Sequence, residues 1–443
     1  MLKAVLAQLV EQYHGKVEVT GSIPVDGTRK YGGKMKKGLL FGLLILVMGC
    51  SSVEPKEKID VVIVEEIKEI VNENIDPISK FSYEETYLNE IPETVKFHEK
   101  YKGGHPQLLD YVFVRTSAAR IRELPNSKSK VIKKVKYRER LKVLGKVKDY
   151  TLVWYKVELP TGEIGYVYGK AVLFRTFKFE EAKKEIVKLE NFINEANKNN
   201  EKLLVVDSYV PNPNNENMLR KKDKYGVALD QNIKAKYKNQ VIHLPDGSII
   251  KLIEKNKRTS KIKASWYPED YFIVENKDIK TATTLLTQGL NKAIIIDATN
   301  QNLMLFEKID SEWNVISYVY SKTGDDSKLG FETPRGYFLA PVTKYTMWYN
   351  SPVEEDGGEA KFATRFTGGA YLHGTPIGKL EEKYRRAALK AKEKNLGTYS
   401  GTRKCVRTTE QHAKFVFDWI LENQKKTKGN EQKISENILT IVI

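Results

Sequence analysis

The sequence predicts a mainly β protein with several domains. Its 443 residues exceed the usual size of one domain and suggest two to four. Short runs rich in β-branched and aromatic residues, separated by turn signals, recur after residue 110. Helical periodicity occurs in three segments, 61–70, 178–199 and 378–395. A hydrophobic fraction of 41% and a charged fraction of 30% are typical of folded domains and argue against a disordered chain.

The chain is strongly basic, with a formal net charge of +17. A positive surface of this size attracts polyanions, and nucleic acid is the usual first hypothesis. The export signal described next favours other partners, namely the stem-peptide carboxylates, anionic wall polymers and lipid headgroups of a cell envelope. We therefore expect no nucleic-acid partner and interpret most of the charge as a lysine-rich solvated surface.

Residues 35–50 read MKKGLLFGLLILVMGC and have the pattern of an export signal. Two lysines precede an apolar run that is too short to span a bilayer comfortably. The closing letters VMGC resemble the bacterial lipoprotein box, in which the chain is cleaved before a cysteine whose sulfur is acylated. The resemblance implies a signal peptide at 35–49, lipidation of Cys50, and a lipid-anchored protein of the cell envelope that faces the periplasm or cell wall. The alternative is an ordinary signal peptide with an incidental cysteine.

Residues 1–34 precede this signal and do not fit it. Their stretch LAQLVEQYHGKVEVTGSIPVDGT resembles the spurious translation of a transfer-RNA gene. We therefore expect translation to start at Met35 and residues 1–34 to be an untranslated upstream region.

Residues 50–105 are predicted to form a tether between the membrane and the first folded domain. The segment begins with an acidic-leaning stretch, and four apolar residues at helical spacing suit one amphipathic helix: Val61, Val64, Ile67 and Ile70. A helix that binds a partner is the alternative to a simple spacer.

Residues 106–176 are predicted to form a small β-barrel domain. The β-rich runs VIKKVKY, RLKVLGKV, LVWYKVEL and IGYVYG are separated by turn signals. The string from Ala119 to Leu173 resembles the bacterial SH3-like domain, whose motif positions here are Trp154, Lys156, Val157, Gly162, Gly165, Tyr166 and Val167. The resemblance implies binding of wall peptides or a spacer role. Four aromatic residues could line a groove, and about half of them should be core: Trp154, Tyr155, Tyr166 and Tyr168.

Residues 177–290 are predicted to hold a helix followed by a possible second small β-domain. In the helix 178–199, one face carries Ile186, Leu189, Phe192 and Ile193. The chain from Leu203 to Tyr271 is β-leaning, with an Asn-Pro-rich loop at 211–216 and a hairpin signal at Pro245-Asp246-Gly247. These patterns indicate a fold but no function.

Residues 291–443 carry a series of short motifs in a fixed order. The stretch AIIIDATNQNLMLFE, which suits two strands and a turn, precedes KTG at 322–324, TPRGYF at 333–338, YLHGT at 371–375 and TRKCVR at 402–407. Together they resemble the L,D-transpeptidase (YkuD-type) catalytic domain over about 150 residues. The resemblance implies a β-sandwich enzyme that acts on peptidoglycan stem peptides. It also implies a role in cell-wall biogenesis and in the control of cell shape.

The chemistry of peptide exchange explains two of these motif residues. Exchange without ATP requires a covalent acyl intermediate, and a thiol can form it when a base makes the thiolate available. Cys405 is therefore the candidate nucleophile and His373 the candidate base. By the resemblance, the thiol attacks the third stem residue, D-alanine leaves, and a second stem's amine takes the acyl group. The alternative for Cys405 is a buried structural cysteine.

Further motif residues are candidates for binding the oxyanion or the substrate. Backbone N–H groups near the nucleophile would hold the oxyanion, and the motif arginine would hold a substrate carboxylate or brace the loop. These candidates are Gly374, Thr375, Arg403, Lys404 and Arg407.

Lys404 stands where the family motif has glycine. If the backbone there needs a positive φ, the lysine introduces about 1–3 kcal/mol of strain. In compensation, Arg403 and Lys404 together would favour the Cys405 thiolate and an anionic substrate.

The segment between His373 and Cys405 is about twice as long as is usual in the family. Its residues 378–395 suit a basic helix, which would form a lid over the site or a solvated insertion. We expect no metal and no cofactor, because the chain has neither metal-ligand spacing of Cys and His nor a phosphate-binding glycine loop. Inhibition by β-lactams, carbapenems in particular, is expected from the resemblance.

The sequence is compatible with several functional hypotheses. The first is an L,D-transpeptidase, and a close alternative is an L,D-carboxypeptidase that uses water as acceptor. Attachment of a protein amine to the wall is a further enzymatic possibility. From a different class comes a non-catalytic wall-binding lipoprotein, in which the altered loop at Arg403 and Lys404 marks an inactive enzyme.

Overall fold

A computed structural model describes most of the chain after residue 81. The described residues are 82–149, 152–208, 232–282, 285, 288–326, 331–349, 358–378 and 381–443. All of them belong to one compact unit, Asp76–Ile443. The predicted upstream region, the signal peptide, Cys50, the amphipathic helix and the loop 211–216 lie outside the described residues. No helix in these ranges is both long and apolar enough to cross a membrane.

The first sheet corresponds to the predicted SH3-like domain. Its strands are β1 (Ser82–Thr86), β2 (Tyr111–Val114), β3 (Ala118–Arg122), β4 (Val131–Lys136), β5 (Arg140–Asp149), β6 (Leu152–Glu158), β7 (Ile164–Tyr168) and β8 (Val172–Arg175), with a 3₁₀ turn at Gly169–Ala171. The order is β4-β3-β7-β6-β5-β2-β8, and β1 pairs with β5. The four predicted runs are all strands. The pairing does not return from β8 to β4, so within the described ranges the expected barrel is an open sheet.

The four aromatic residues of this domain divide between core and groove. Trp154 and Tyr166 are buried, while Tyr155 and Tyr168 are half-buried. Trp154 and Tyr168 also line a groove of about 600 Å³ that contains three cationic side chains, Arg120, Arg122 and Lys134.

The predicted tether ends earlier than expected. Strand β1 pairs antiparallel with β5, and Phe97 forms a parallel bridge with Val315. Tyr101 is 5% exposed and packs in the C-terminal core. Residues 82–105 therefore belong to the folded unit, because their few apolar side chains find partners distant in sequence.

The predicted linker helix forms as expected and is part of the core. Helix α1 (Phe179–Lys198) buries the four predicted residues of its apolar face. That face packs in one cluster with Ala293, Ile295 and Met304 of the C-terminal domain. Glu190 accepts hydrogen bonds from Lys308 Nζ and, at 2.9 Å, from Trp313 Nε1.

The middle region forms a seven-stranded sheet. Its strands are β9 (Leu203–Val206), β10 (Ile233–Tyr237), β11 (Gln240–Leu244), β12 (Ile249–Lys255), β13 (Thr259–Ala264), β14 (Tyr267–Glu275) and β15 (Ile279–Thr281), with a 3₁₀ turn at Asn276–Asp278. The order is β11-β10-β14-β13-β12-β9-β15.

The hairpin predicted at Pro245-Asp246-Gly247 is wrong, since β11 and β12 do not pair. The turn docks on the C-terminal domain instead. Asp246 Oδ2 accepts from Arg365 Nη2 at 2.6 Å, and Gly247 O accepts from the Leu339 N–H at 3.0 Å. Gly247 has φ +81°, and an added Cβ would lie 2.6 Å from Phe366 O. Glycine is needed here for close approach, which local sequence does not distinguish from a hairpin turn.

The C-terminal domain contains two five-stranded sheets. Its elements are β16 (Lys292–Asp297), β17 (Asn302–Ile309), β18 (Glu312–Tyr320), β19 (Gly336–Leu339), β20 (Val342–Tyr349), β21 (Gly358–Thr367), β22 (Ala370–Gly374), α2 (Glu382–Glu393), β23 (Val406–Thr408), α3 (Glu410–Ile420), β24 (Glu431–Lys433) and β25 (Ile438–Val442). One sheet has the order β18-β17-β16-β25-β19, and the other β23-β22-β21-β20-β24. The predicted pair of strands around residue 300 is confirmed as β16 and β17.

The core between the two sheets explains the continuous apolar run of β16. Ile294 and Ile296 face a cluster that includes Leu372 and Val406 of the second sheet. Ala293 and Ile295 face α1 on the opposite side. Because β16 is covered on both faces, it reads as unbroken hydrophobic sequence. The mainly β class and the C-terminal sandwich are confirmed.

Candidate active site

The two candidate catalytic residues lie on neighbouring parallel strands. Strands β22 and β23 pair so that His373 is opposite Arg407 and Leu372 is opposite Val406. Cys405 directly precedes β23. Because side chains alternate between the faces of a strand, Cys405 and Arg407 share a face with His373. The spacing of strands and residues puts the Cα atoms of Cys405 and His373 about 8 Å apart.

Both side chains line one pocket of about 260 Å³. Cys405 is a free, partly exposed cysteine. The lining combines apolar and aromatic walls with two cations, and consists of Phe331, Met347, Tyr349, Gly369, Tyr371, His373, Pro376, Thr402, Arg403, Cys405 and Arg407. The pocket therefore contains a thiol, an imidazole and two guanidinium groups.

The tautomer of His373 follows from its hydrogen bond. Nδ1 lies 2.7 Å from Gly374 O, and since a carbonyl oxygen only accepts, Nδ1 carries the proton. Nε2 then has the lone pair. Burial, helped by the charge of Arg407, lowers the pKa of His373 to about 4. The imidazole is therefore neutral at pH 7 and able to accept a proton.

Cys405 rests as a thiol. Its Sγ lies 3.9 Å from Gly369 O. Burial raises the pKa of the thiol, while the Tyr371 N–H and the cations Arg407, Lys404 and Arg403 act in the opposite direction. The expectation that adjacent cations favour the thiolate has the right sign, but desolvation outweighs them. The pocket is thus lined by a neutral thiol and a neutral imidazole.

These two pKa shifts predict different pH profiles for two reactions. Alkylation of Cys405 by iodoacetamide needs the thiolate, so its rate should keep rising from pH 7 into the alkaline range. Turnover assisted by His373 needs only the free base, which is present above about pH 4 and is lost as the pH falls through that value. Alkylation is followed by mass spectrometry of the peptide that contains Cys405. A plateau of the alkylation rate below pH 7 would instead reveal a resting thiolate.

Lys404 has the strained conformation that its position in the motif suggested. Its φ is +103°, and its side chain is 3% exposed. Nζ donates to Gly368 O at 2.7 Å, and burial lowers the pKa of the ammonium to about 8. Lys404 O accepts from Thr333 Oγ1 at 2.9 Å, and Thr333 Oγ1 accepts from the Gly324 N–H at 2.7 Å. Lys404 therefore braces the loop from beneath and is not among the pocket residues.

The strain at Lys404 can be isolated by comparing two variants. Lys404→Ala and Lys404→Gly both remove the buried ammonium, but only glycine tolerates φ +103° without strain. We expect the glycine variant to be more stable than the alanine variant by about 1–3 kcal/mol. Chemical denaturation of the two proteins measures the difference. Equal stability of the two variants would show that the loop relaxes without cost.

The remaining predicted binding residues divide into two groups. Arg403 and Arg407 line the pocket. Gly374 and Thr375 are not among the described lining residues, and their binding role stays a prediction. Thr375 is buried and donates through Oγ1 to Thr408 O at 2.9 Å. Gly374 O in turn accepts the hydrogen bond of His373 Nδ1, so both residues contact the strands that carry the catalytic pair.

Sequence reasoning missed much of the pocket wall. Met347 and Tyr349 lie at the end of β20, which approaches the site only through sheet pairing. Phe331 and Pro376 flank known motifs without belonging to them. Thr402 could have been predicted, because it is the first residue of the cysteine motif. Its Oγ1 donates to Cys405 O. Tyr371, the first residue of the motif YLHGT, also lines the pocket and had a signal in the sequence.

The predicted basic helix is confirmed as α2. Arg385 binds Glu410 with both guanidinium nitrogens, one contact being 2.8 Å, and Glu393 Oε1 accepts from the Glu410 N–H at 2.9 Å. Lys392 Nζ donates to Pro376 O at 3.2 Å. The helix is thus anchored on the start of α3, and none of the described lining residues comes from it. A lid role stays a prediction.

The fold and the pocket define a β-sandwich domain with a cysteine and a neutral histidine facing one pocket. Residues 291–429 match the family of the L,D-transpeptidase catalytic domain (YkuD), and residues 117–172 match the bacterial SH3 domain. The chain therefore carries an L,D-transpeptidase catalytic domain together with a bacterial SH3 domain. The match supports an activity of the L,D-transpeptidase type for the catalytic domain.

Solved structures include several similar chains at low identity. An L,D-transpeptidase from Mycobacterium smegmatis is 10% identical, with 66% of this chain and 90% of that chain covered and a TM-score of 0.24. An L,D-transpeptidase from Stackebrandtia nassauensis is 17% identical, with 35% and 56% covered and a TM-score of 0.22. A fused Zn-dependent amidase/peptidase/peptidoglycan-binding protein from Clostridium acetobutylicum is 16% identical, with 34% and 52% covered and a TM-score of 0.22. The chain spans about half the length of the latter two. A search of curated proteins finds no significant match.

Proposed function

We propose that the protein is a peptidoglycan L,D-transpeptidase that uses Cys405 as nucleophile and His373 as general base. The observation that carries this proposal is the shared pocket on the β22–β23 pair, where a free thiol and a neutral imidazole lie on one face of two parallel strands. A structural cysteine would be enclosed by packing. Cys405 is instead partly exposed and lines the pocket.

The reaction would proceed through a thioester. His373 Nε2 takes the thiol proton as Sγ attacks the carbonyl carbon of the third stem residue. Backbone N–H groups of the turn before Cys405 are candidates to hold the oxyanion. When the tetrahedral intermediate collapses, the D-alanine amine leaves with the proton from the imidazolium. The acceptor amine then attacks the thioester, its proton passes to His373, and the thiolate leaves and is reprotonated.

The charge of the pocket supports an acidic donor peptide. Arg403 and Arg407 are the cations of the lining, and a guanidinium fork suits a carboxylate. Phe331, Met347 and Tyr349 supply apolar walls, which would limit the access of water to the acyl enzyme. Exclusion of water favours transfer to an amine over hydrolysis, which makes the L,D-carboxypeptidase the second candidate.

The test uses a purified disaccharide tetrapeptide as the only substrate. Mass spectrometry of the products distinguishes crosslinked dimers, expected of a transpeptidase, from trimmed tripeptides, expected of a carboxypeptidase. A carbapenem should add to the protein as a stable acyl adduct. If neither product nor adduct forms, the catalytic proposal is refuted and the non-catalytic wall-binding lipoprotein remains.

We also propose that the mature protein is anchored to the envelope through acylated Cys50. The proposal is supported by the pattern of residues 35–50 alone. Cell fractionation tests it, since the protein should leave the membrane fraction in Cys50→Ala. Retention of that variant in the membrane would contradict a lipid anchor at this residue.

A further inference from the structure

The SH3-like sheet presents a second buried face, which is turned away from its own core. Val112, Val114 and Leu141 belong to the core of this domain. Tyr111 and Phe113 alternate with them on β2 and are also fully buried. Tyr111 pairs with Arg175 of β8, and Phe113 pairs with Arg140 of β5. Side-chain alternation therefore puts two aromatic rings and two arginines on one face of three adjacent strands.

This face covers residues 394–399, here called the pre-nucleophile segment. The segment begins at the C-terminal end of α2, where backbone carbonyls lack helical partners and carry the negative end of the helix dipole. Arg140 Nη2 donates to Leu396 O and, at 3.3 Å, to Lys394 O. Arg138 Nη1 donates to Asn395 Oδ1 at 2.8 Å. Arg140 thus reaches the C-cap carbonyl of α2, and both arginines bind residues that directly follow the helix.

The contacts continue along the rest of the segment. Tyr111 Oη donates to Gly397 O at 2.5 Å, and Arg175 Nη2 donates to Thr398 O at 3.0 Å. The ring of Tyr399 packs edge-on against Phe113, with centroids 5.0 Å apart and an interplanar angle of 84°. Gly397 has φ +74°, and a Cβ there would lie 2.5 Å from Tyr111 Oη. Every residue of the segment therefore contacts the SH3-like domain.

The pre-nucleophile segment leads directly to the nucleophile. The Gly397 N–H donates to Ser321 O at 2.7 Å. The N–H groups of Gly401 and Thr402 both donate to Thr323 O at 3.0 Å, and Thr402 Oγ1 donates to Cys405 O. The path of residues 394–402 thus sets the position of Cys405.

The same face also holds the strand on the other side of this path. Tyr320, the last residue of β18, packs with its ring 5.1 Å from the Tyr111 ring and 4.7 Å beneath Arg140. Its hydroxyl donates to Leu108 O at 2.8 Å. Tyr320 is followed directly by Ser321 to Thr323, which accept the hydrogen bonds described above. The SH3-like domain therefore contacts both segments that flank the nucleophile loop: the pre-nucleophile segment and the end of β18.

We propose that the SH3-like domain is a structural part of the active site, in which Tyr111, Arg140 and Arg175 are positioning residues for Cys405. The inference rests on the proposed function, because positioning matters only if Cys405 is the nucleophile. The alkylation measurement below tests the positioning itself without relying on that function. Four of the hydrogen bonds from these residues go to main-chain carbonyls of the pre-nucleophile segment. They therefore hold the backbone of the segment in place, whatever its side chains are. Because a misplacement of about 1 Å costs on the order of 100-fold in rate, loss of these contacts should reach the chemistry.

The experiment uses the full chain with Tyr111→Phe and Arg140→Gln. Tyr111→Phe removes one hydroxyl and keeps the buried ring, so it is the variant that should retain its fold. Arg258→Gln is the matched control, because Arg258 is exposed in the turn between β12 and β13, away from this interface. Three quantities are measured for each protein: kcat and KM of transfer, the pH profile of Cys405 alkylation, and the thermal midpoint.

We expect kcat to fall at least 10-fold in Tyr111→Phe and further in Arg140→Gln, with KM within about twofold of the wild type. The alkylation profile of Cys405 should shift in both variants, because the thiol moves relative to Arg403 and Arg407, and Arg258→Gln should behave as wild type. Folded variants with unchanged kcat and alkylation profile would overturn the inference. The inference would also be overturned if kcat fell only in proportion to the fraction of folded protein. If the wild type shows no transfer at all while the alkylation profile still shifts, the proposed function fails and the positioning role stands.

Discussion

Replacing Cys405 by alanine is expected to reduce transfer by at least about 10⁴-fold, because no thioester can form without the sulfur. The residue is a partly exposed, free cysteine at the wall of the pocket, so its truncation leaves the fold intact. The same substitution should abolish the carbapenem adduct. Transfer is measured with the disaccharide tetrapeptide, and the adduct by intact mass.

Cys405→Ser is the matched control for size and polarity. It retains a hydroxyl that His373 could deprotonate, but serine is a far weaker nucleophile unless strongly activated, so activity should stay low. The thermal midpoints of both variants should lie within a few degrees of the wild type. An adduct that persists in Cys405→Ala would place acylation at another residue.

Replacing His373 by asparagine is expected to reduce transfer by about 10²- to 10⁴-fold, the usual contribution of a general base. Asparagine is chosen because its amide N–H can replace the Nδ1 hydrogen bond to Gly374 O, while the accepting Nε2 is lost. The loss of activity then measures the contribution of proton transfer and not the loss of the hydrogen bond to Gly374 O. Initial rates of transfer are measured between pH 4 and 9.

Activity should be partly recovered as the pH rises, because the thiolate then forms without a base. Burial raises the pKa of Cys405, so this recovery should begin only at the alkaline end of the range. His98→Asn is the control, because His98 is exposed and outside the pocket. Full activity of His373→Asn at neutral pH would show that another group accepts the thiol proton.

Local patterns predicted the elements of the fold well. Strands β4 to β7 of the SH3-like sheet, helix α1 and the pair β16–β17 were readable because their periodicity matches the faces they bury. The run YVFV of β2, which is buried on both faces, is a local signal of the interface with the pre-nucleophile segment, and it was missed. The end of the tether and the role of Gly247 were predicted wrongly, since both depend on partners far away in sequence.

The candidate site was predicted in part. The motifs named Cys405, His373 and the strained position of Lys404, because these are residue types fixed by chemistry or by backbone conformation. They could not indicate that Lys404 points to Gly368 O and not to substrate, or that Met347 and Tyr349 form a wall. Nor could they give the balance between desolvation and nearby cations at the thiol.

By itself, the sequence determined the chemistry available to this protein: a mainly β chain, a cysteine and a histidine in ordered motifs, and a glycine position occupied by lysine. The tertiary structure alone decided which of these groups share a pocket, how they are protonated, and that the SH3-like domain supports the nucleophile loop. The physical reason is that identity and local conformation are written in neighbouring residues. Burial, hydrogen-bond partners and electrostatic environment instead depend on contacts between residues that are far apart in the sequence, from 36 positions for Lys404 and Gly368 to 286 for Tyr111 and Gly397.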